Sequence, residues 1–271
     1  MTVWSLFGRA LADPPSLCYN PRIPRRTSMR AGVVVFPGSN CDRDCLWALG
    51  ASAIDAVPLW HKDDSVQGCD VVVLPGGFSY GDYLRCGAIA RLSPIMSAIR
   101  RHAKAGGVVI GICNGFQILT EAGLLPGTLL RNTGLRFICR PVFVRVEQTT
   151  SALTRACRSG QVLSLPIAHA EGRYWLSESE LREMEARGQV IVRYCAADGA
   201  VEPASNPNGS ANGIAGVCNA DGNVVGLMPH PERAIDSRLG STDGRCLMAG
   251  LAAAARTVTA AASGLQTSAA I

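Results

Sequence analysis

The chain has 271 residues, 48% hydrophobic and 17% charged, which suits one large α/β core or two small ones and excludes a disordered body. The formal net charge is +5, but Arg9, Arg22, Arg25, Arg26 and Arg30 face only Asp13 near the start, so the body is close to neutral. No basic stripe with interleaved aromatics exists, which argues against nucleic-acid binding, and no apolar run approaches the ~20 residues of a membrane span.

Residues 1–28 are rich in Pro, Arg and Ser, lack periodicity, and read as a disordered N-terminal extension. A transit peptide and an upstream start codon are both open, because Met29 directly opens an apolar strand. The domain proper is expected over residues 29–256. The pattern there predicts a buried strand at Gly32–Phe36, a helix at Asp42–Leu49, and strands at Ala53–Pro58 and Cys69–Leu74. A helix at Pro94–Ala105 and a strand at Gly107–Ile112 follow. Continuous apolar strands separated by helices imply a mostly parallel sheet covered on both faces. Beyond residue 135 the style changes. Phe137–Val146, Val162–Ile167, Val190–Tyr194, Ile214–Cys218 and Val224–Met228 read as strands, separated by turn signals such as Asp198-Gly199 and Asp221-Gly222. Only Glu178–Ala186 looks helical there, so this half extends the sheet with antiparallel strands. A last helix is expected at Ala249–Arg256, then a flexible Ala-, Ser- and Thr-rich tail over 257–271.

The 11 cysteines are scattered and form no CxxC pair, which argues against a disulfide framework or a zinc ribbon and fits a reducing cytoplasm. Cys69, Cys139 and Cys218 sit in apolar runs as small hydrophobes. Three loops follow strands, where open α/β sheets bind ligands. They are Phe36-Pro37-Gly38-Ser39-Asn40, the glycine-rich Pro75–Asp82, and Cys113-Asn114-Gly115. The second lacks the Lys-Ser/Thr of a P-loop and the GxGxxG spacing, so no nucleotide site is placed on it.

The third loop carries the chemistry. Val-Val-Ile-Gly-Ile ends at Cys113, and an amphipathic stretch starts straight after it: a strand, a sharp turn and a helix with a thiol at the apex, flanked by Gly111 and Gly115. A thiol there is expected in solvent beside free N–H groups at a helix N-terminus, which favour thiolate and can hold an oxyanion. This is the nucleophile-elbow arrangement with Cys for Ser; the other reading, a buried structural cysteine, is open on this stretch alone. A nucleophile needs a base. His102 lies on a basic helix face and is expected to be solvated, and His61 begins a polar loop. His169 and His230 are the candidates. His230 follows an apolar strand, lies between Pro229 and Pro231, and has Glu232 two residues on, a carboxylate able to orient its imidazole.

Gly-Ile-Cys-Asn-Gly-Phe-Gln at 111–117 followed by Pro-His-Pro-Glu at 229–232 resembles the class I (triad) glutamine amidotransferases. Phe36–Asp42, Leu74–Ala88 (LPGGFSYGDYLRCGA), Pro166–Tyr174 (PIAHAEGRY) and Gly226–Ala234 (GLMPHPERA) are similar to the glutaminase subunit of phosphoribosylformylglycinamidine synthase, the PurQ type. The resemblance runs from about Met29 to about Ala252. It implies a flavodoxin-like α/β fold, with Cys113 as nucleophile, His230 as general base and Glu232 orienting His230. It further implies an oxyanion hole from the N–H groups of Gly77 and Asn114, Gln117 lining the glutamine pocket, and no metal. His169 falls in a subfamily motif and is expected to make a structural hydrogen bond. Ala170 stands where the family leads one to expect Gly. The implied activity is hydrolysis of glutamine, with ammonia channelled to a synthetase (large) subunit beside a small accessory subunit. The resemblance also implies no cofactor on this chain, with ATP and Mg used by the partner synthetase. The expected place is the cytoplasm, with neither nucleic acid nor membrane as partner. Two rival readings are another cysteine-elbow hydrolase of the peptidase or chaperone-like type, and a catalytically silent regulatory subunit.

Overall fold

A computed structural model describes residues 29–254; the extension over 1–28 and the tail over 257–271 lie outside the described residues. In chain order the elements are β1 (Arg30–Val35), α1 (Asp42–Ala51), β2 (Asp55–Trp60), β3 (Val71–Leu74), α2 (Ile95–Lys104), β4 (Val108–Ile112), α3 (Asn114–Glu121), β5 (Thr128–Leu130) and β6 (Ile138–Val146). There follow β7 (Val162–His169), β8 (Arg173–Trp175), α4 (Glu178–Ala186), β9 (Val190–Cys195), β10 (Ile214–Cys218) and β11 (Val224–Leu227), then α5 over 244–254.

Nine strands form one sheet in the order β2-β1-β3-β4-β11-β10-β9-β6-β7. Pairing is parallel from β2 to β11 and antiparallel from β11 to β7, as the change of sequence style predicts. β3, β4 and β11 are buried along their whole length, since helices cover both faces. Register fixes what comes next. Leu74 pairs with Gly111 and Ile112 with Leu227, so three neighbouring strands finish together. The residues after each one, Pro75–Gly77, Cys113 and Met228–His230, leave the sheet at the same end, the carboxyl ends of its central strands.

The first turn of α3 lies directly on β3. A Cβ at Gly115 would collide with the backbone carbonyl of Leu74, which no side-chain rotation relieves. Gly115→Ala is therefore expected to destabilise the chain by about 2–3 kcal/mol through overpacking, read as a drop of several degrees in Tm by calorimetry.

The structure differs from expectation at a few places. β2 starts at Asp55 instead of Ala53, because Ala53 takes a left-handed φ of 58° that ends the preceding turn. α5 starts five residues early; its first turn carries little apolar periodicity and is pinned by Gly244 N–H to Ala234 O at 2.7 Å. β5 and β8, three residues each, are too short to show a period. Cys69 and Cys218 are buried, but Cys139 is exposed: the first half of β6 pairs only with β7. His102 is half-buried, not fully solvated, since its ring lies against Gly107 and burial lowers its pKa. His61 is buried as well, with its Nδ1 2.8 Å from the Tyr80 hydroxyl.

Candidate active site

The elbow forms as the sequence suggests, with Cys113 at φ 49° and ψ −104° between β4 and α3. A left-handed non-glycine residue costs about 1–3 kcal/mol and persists only where its surroundings hold it. Here Cys113 N–H donates to Leu227 O at 2.8 Å and Cys113 O accepts from Gln117 N at 3.1 Å. The expectation of a solvent-exposed thiol is corrected: Cys113 is only 5% exposed. Its cover comes from β7, where the Cys113 thiol donates to Ala168 O at 3.6 Å, and from His230.

His230 leaves β11 beside the elbow and is held by its N–H on Pro166 O at 2.9 Å. A short turn over Pro231–Arg233 folds Glu232 back, and His230 Nδ1 donates to Glu232 Oε1 at 2.6 Å, both side chains being almost wholly buried. Burial lowers the His230 pKa, but the Glu232 carboxylate and then the Cys113 sulfur, by charge and as a hydrogen-bond partner, outweigh it and push it up to about 10. With Nδ1 committed to Glu232, Nε2 is the atom left to exchange a proton with Cys113, and it has no other partner among the described residues. Sulfur, imidazole and carboxylate thus form a chain in the order a triad requires.

The glycine-rich loop lies against this chain. A Cβ at Gly76 would sit 2.8 Å from His230 Cε1, and one at Gly77 would sit 2.7 Å from Asn40 N; Gly77 also needs a φ of +135°. The loop after β1 holds it through Phe78 N–H to Gly38 O at 3.1 Å and Cys41 N–H to Gly76 O at 3.3 Å. Ser79 N–H donates to Asn114 Oδ1 at 3.1 Å and joins the loop to the elbow. The Tyr80 hydroxyl, shared by His61 and Ser93 at 2.8 and 2.9 Å, anchors the far side. Asn114 follows Cys113 directly and holds the glycine-rich loop through Ser79, and its amide belongs to the unpaired first turn of α3.

Gln117 is buried with both side-chain ends taken. Its Oε1 accepts from Asn114 Nδ2 at 2.9 Å and its Nε2 donates to Glu171 O at 2.6 Å. It ties the elbow to the β7–β8 loop. His169 makes the expected structural bond, Nδ1 to Asn132 Oδ1 at 3.1 Å. Asn132 Oδ1 also accepts from Gly172 N–H at 3.0 Å while its Nδ2 donates to His169 O at 2.9 Å, so the proton of the His169 ring is assigned to Nδ1. Burial, then the charge of His230, lower its pKa to about 4, which keeps it neutral. Ala170 is exposed and absent from the left-handed residues, so its methyl fits.

Sequence reasoning missed Cys41 and Arg233. Arg233 Nη2 donates to Cys41 Sγ at 2.9 Å and Nε to Asp44 Oδ2 at 3.0 Å, clamping the His230–Glu232 turn onto the start of α1. Burial raises the Cys41 pKa to about 12 against the pull of Arg233. Cys41, His230 and Glu232 have ligand atoms within 4.8 Å of one another. As a donor set they suit a cation poorly: the sulfur keeps its proton, a guanidinium abuts it, and Nδ1 is spent on Glu232. The one available signal was that Cys41 follows a loop at the ligand-binding end of the sheet.

The CobB/CobQ-like glutamine amidotransferase domain matches residues 28–244. The phosphoribosylformylglycinamidine synthase subunit PurQ of Gloeobacter violaceus is 56% identical over 231 residues, 85% of this chain and all of that protein. PurQ of Koribacter versatilis is 54% identical over 80% of this chain and 94% of its own. A chain of the PurLQS structure from Thermotoga maritima superposes with TM-score 0.74 at 42% identity, over 83% of this chain and 97% of that one. A glutamine amidotransferase from Thermotoga maritima, at 16% identity and TM-score 0.51 over 87% and 95% of the two chains, shares the fold. The chain belongs to the glutamine amidotransferase family and, within it, to the PurQ subunits of phosphoribosylformylglycinamidine synthase.

Proposed function

We propose that this chain is the glutaminase of phosphoribosylformylglycinamidine synthase, working through Cys113, His230 and Glu232. The Cys113–His230–Glu232 chain at one end of the sheet carries the reading. Cys113, its proton already held on His230 Nε2, whose pKa is pushed up to about 10, attacks the side-chain carboxamide carbon of glutamine. The C–S bond forms as the carbonyl π electrons move to oxygen. The amides of Gly77 and Asn114 receive that oxyanion, an arrangement worth about 10²–10³-fold per donor. His230 returns the proton to the leaving nitrogen, ammonia departs, and a glutamyl thioester remains. Water, deprotonated by the same imidazole, hydrolyses it to glutamate. Glu232 holds the Nδ1 proton throughout, so one ring nitrogen serves both transfers.

Ammonia becomes ammonium in bulk water and is a poor nucleophile there, so its value lies in direct delivery. The recipient in this reading is the synthetase subunit, which uses ATP and Mg to amidate formylglycinamide ribonucleotide; a small accessory subunit completes the complex. In this reading the place is the cytoplasm, where purine-synthesis enzymes of the PurQ kind work. Identity of 56% over the full length of a PurQ protein sets aside the other cysteine-elbow hydrolases. The test is glutamine hydrolysis by the full chain with and without the synthetase subunit. Ammonia release that rises at least tenfold on complex formation is expected, together with glutamine-dependent amidation by the complex. Failure of the complex to use glutamine would overturn the proposal and leave a silent subunit.

A further inference from the structure

On the side of the molecule that carries α5, two more cysteines meet. Cys157 ends the turn after β6, with its N–H on Thr154 O at 2.8 Å. Cys246 lies in the first turn of α5. Their sulfurs are 3.1 Å apart across 89 residues of sequence, both free thiols, Cys157 buried and Cys246 partly exposed. Cys246 Sγ is also 3.1 Å from Asp243 O. We propose that Cys157 and Cys246 form a thiol pair that hydroperoxides oxidise to a disulfide, a modification site separate from the glutaminase centre.

Three observations support it. A disulfide needs the sulfurs about 1 Å closer, a small rotation of side chains already in contact. The backbones around them are packed together: a Cβ at Gly250 in α5 would collide with Leu153 O in the Cys157 turn, so neither segment has to travel. One thiol is disposed to react first. The hydrogen bond from Cys157 lowers the Cys246 pKa, the start of a helix favours a thiolate, and Cys246 is the less buried residue of the two. The same contact, with burial, raises Cys157, which suits the thiol that reacts second.

The chemistry balances. Cys246 thiolate attacks one peroxide oxygen, the O–O bond breaks, and with one proton the other oxygen leaves as water, giving a sulfenic acid. Cys157 sulfur attacks that sulfur, the S–O bond breaks, and a second water leaves with the Cys157 proton. Two thiols lose two electrons and one hydrogen peroxide becomes two waters. The bridge would close a long loop and fasten α5 to the β6 turn. The start of α5 already donates Gly244 N–H to Ala234 O and Arg245 Nε to Ile235 O, both at 2.7 Å, just beyond Glu232. Oxidation therefore stiffens the support of the catalytic turn without touching the triad.

The full chain is treated with hydrogen peroxide, free thiols are alkylated, and peptides are mapped by mass spectrometry. Expected are a Cys157–Cys246 linked peptide, reversed by dithiothreitol, and a Tm higher by about 5 °C or more, since loop closure stabilises most over long separations. Cys157→Ser and Cys246→Ser each lose the link and the oxidation-dependent rise. Mapping on the unsubstituted chain keeps the test independent of how the variants fold. Both cysteines alkylated after oxidation, Cys246 driven to sulfinic acid, or either paired elsewhere would overturn the proposal.

Discussion

Cys113→Ser is expected to lower glutamine-dependent turnover by about 10³-fold or more while ammonia-dependent synthesis by the complex survives. A serine hydroxyl fits the same left-handed position and keeps the Cys113 N–H bond to Leu227 O at 2.8 Å, so fold and assembly stay intact. It titrates far above a thiol, and a His230–Glu232 pair built around a sulfur gives its oxygen little of the needed activation. The two assays run on one preparation of complex. Loss of both activities would indicate a structural residue, and retention of the first would remove Cys113 as nucleophile.

Glu232→Gln is expected to cost about 10⁴-fold in kcat, the size seen when the third member of a triad loses its charge. An amide in place of the carboxylate offers Nδ1 no anion and can turn the wrong tautomer toward Cys113. The carboxylate is also what overcomes burial in raising His230 to about 10; without it, burial dominates and the pKa falls. In the native chain His230 keeps its proton to a higher pH than in the unfolded chain, whose ordinary histidine value is ~6.5. This contribution is fully present below that value and is lost as pH rises through about 10. Thermal midpoints of the native chain should therefore fall between pH 7 and 10 relative to those of Glu232→Gln. Parallel curves would show that Glu232 does not raise the His230 pKa.

The parts of the site that were legible in the sequence are those set by a few neighbouring residues. An apolar run ending in Gly-Ile-Cys-Asn-Gly dictates a strand, a turn and a helix, and Pro-His-Pro-Glu after another such run dictates an imidazole with a carboxylate within reach. The sheet then brings the two together because β4 and β11 are partners in register. What was not legible depends on contacts distant along the chain. Cys113 reads as exposed because its cover, Ala168, lies 55 residues away. Cys41 and Arg233 are 192 residues apart, and neither carries a local sign of the other. Gln117 reads as a pocket residue from its place one turn past the nucleophile; that its two ends are spent on Asn114 and Glu171 depends on where the β7–β8 loop folds.

The most direct test of the triad is to trap its intermediate. The complex is mixed with isotopically labelled glutamine, quenched in acid within one turnover, digested and mapped by mass spectrometry. A labelled glutamyl group is expected in thioester linkage on Cys113, and it disappears in Cys113→Ser. Label on Cys41, the other thiol beside His230, or turnover with no acylated cysteine at all, would contradict the triad.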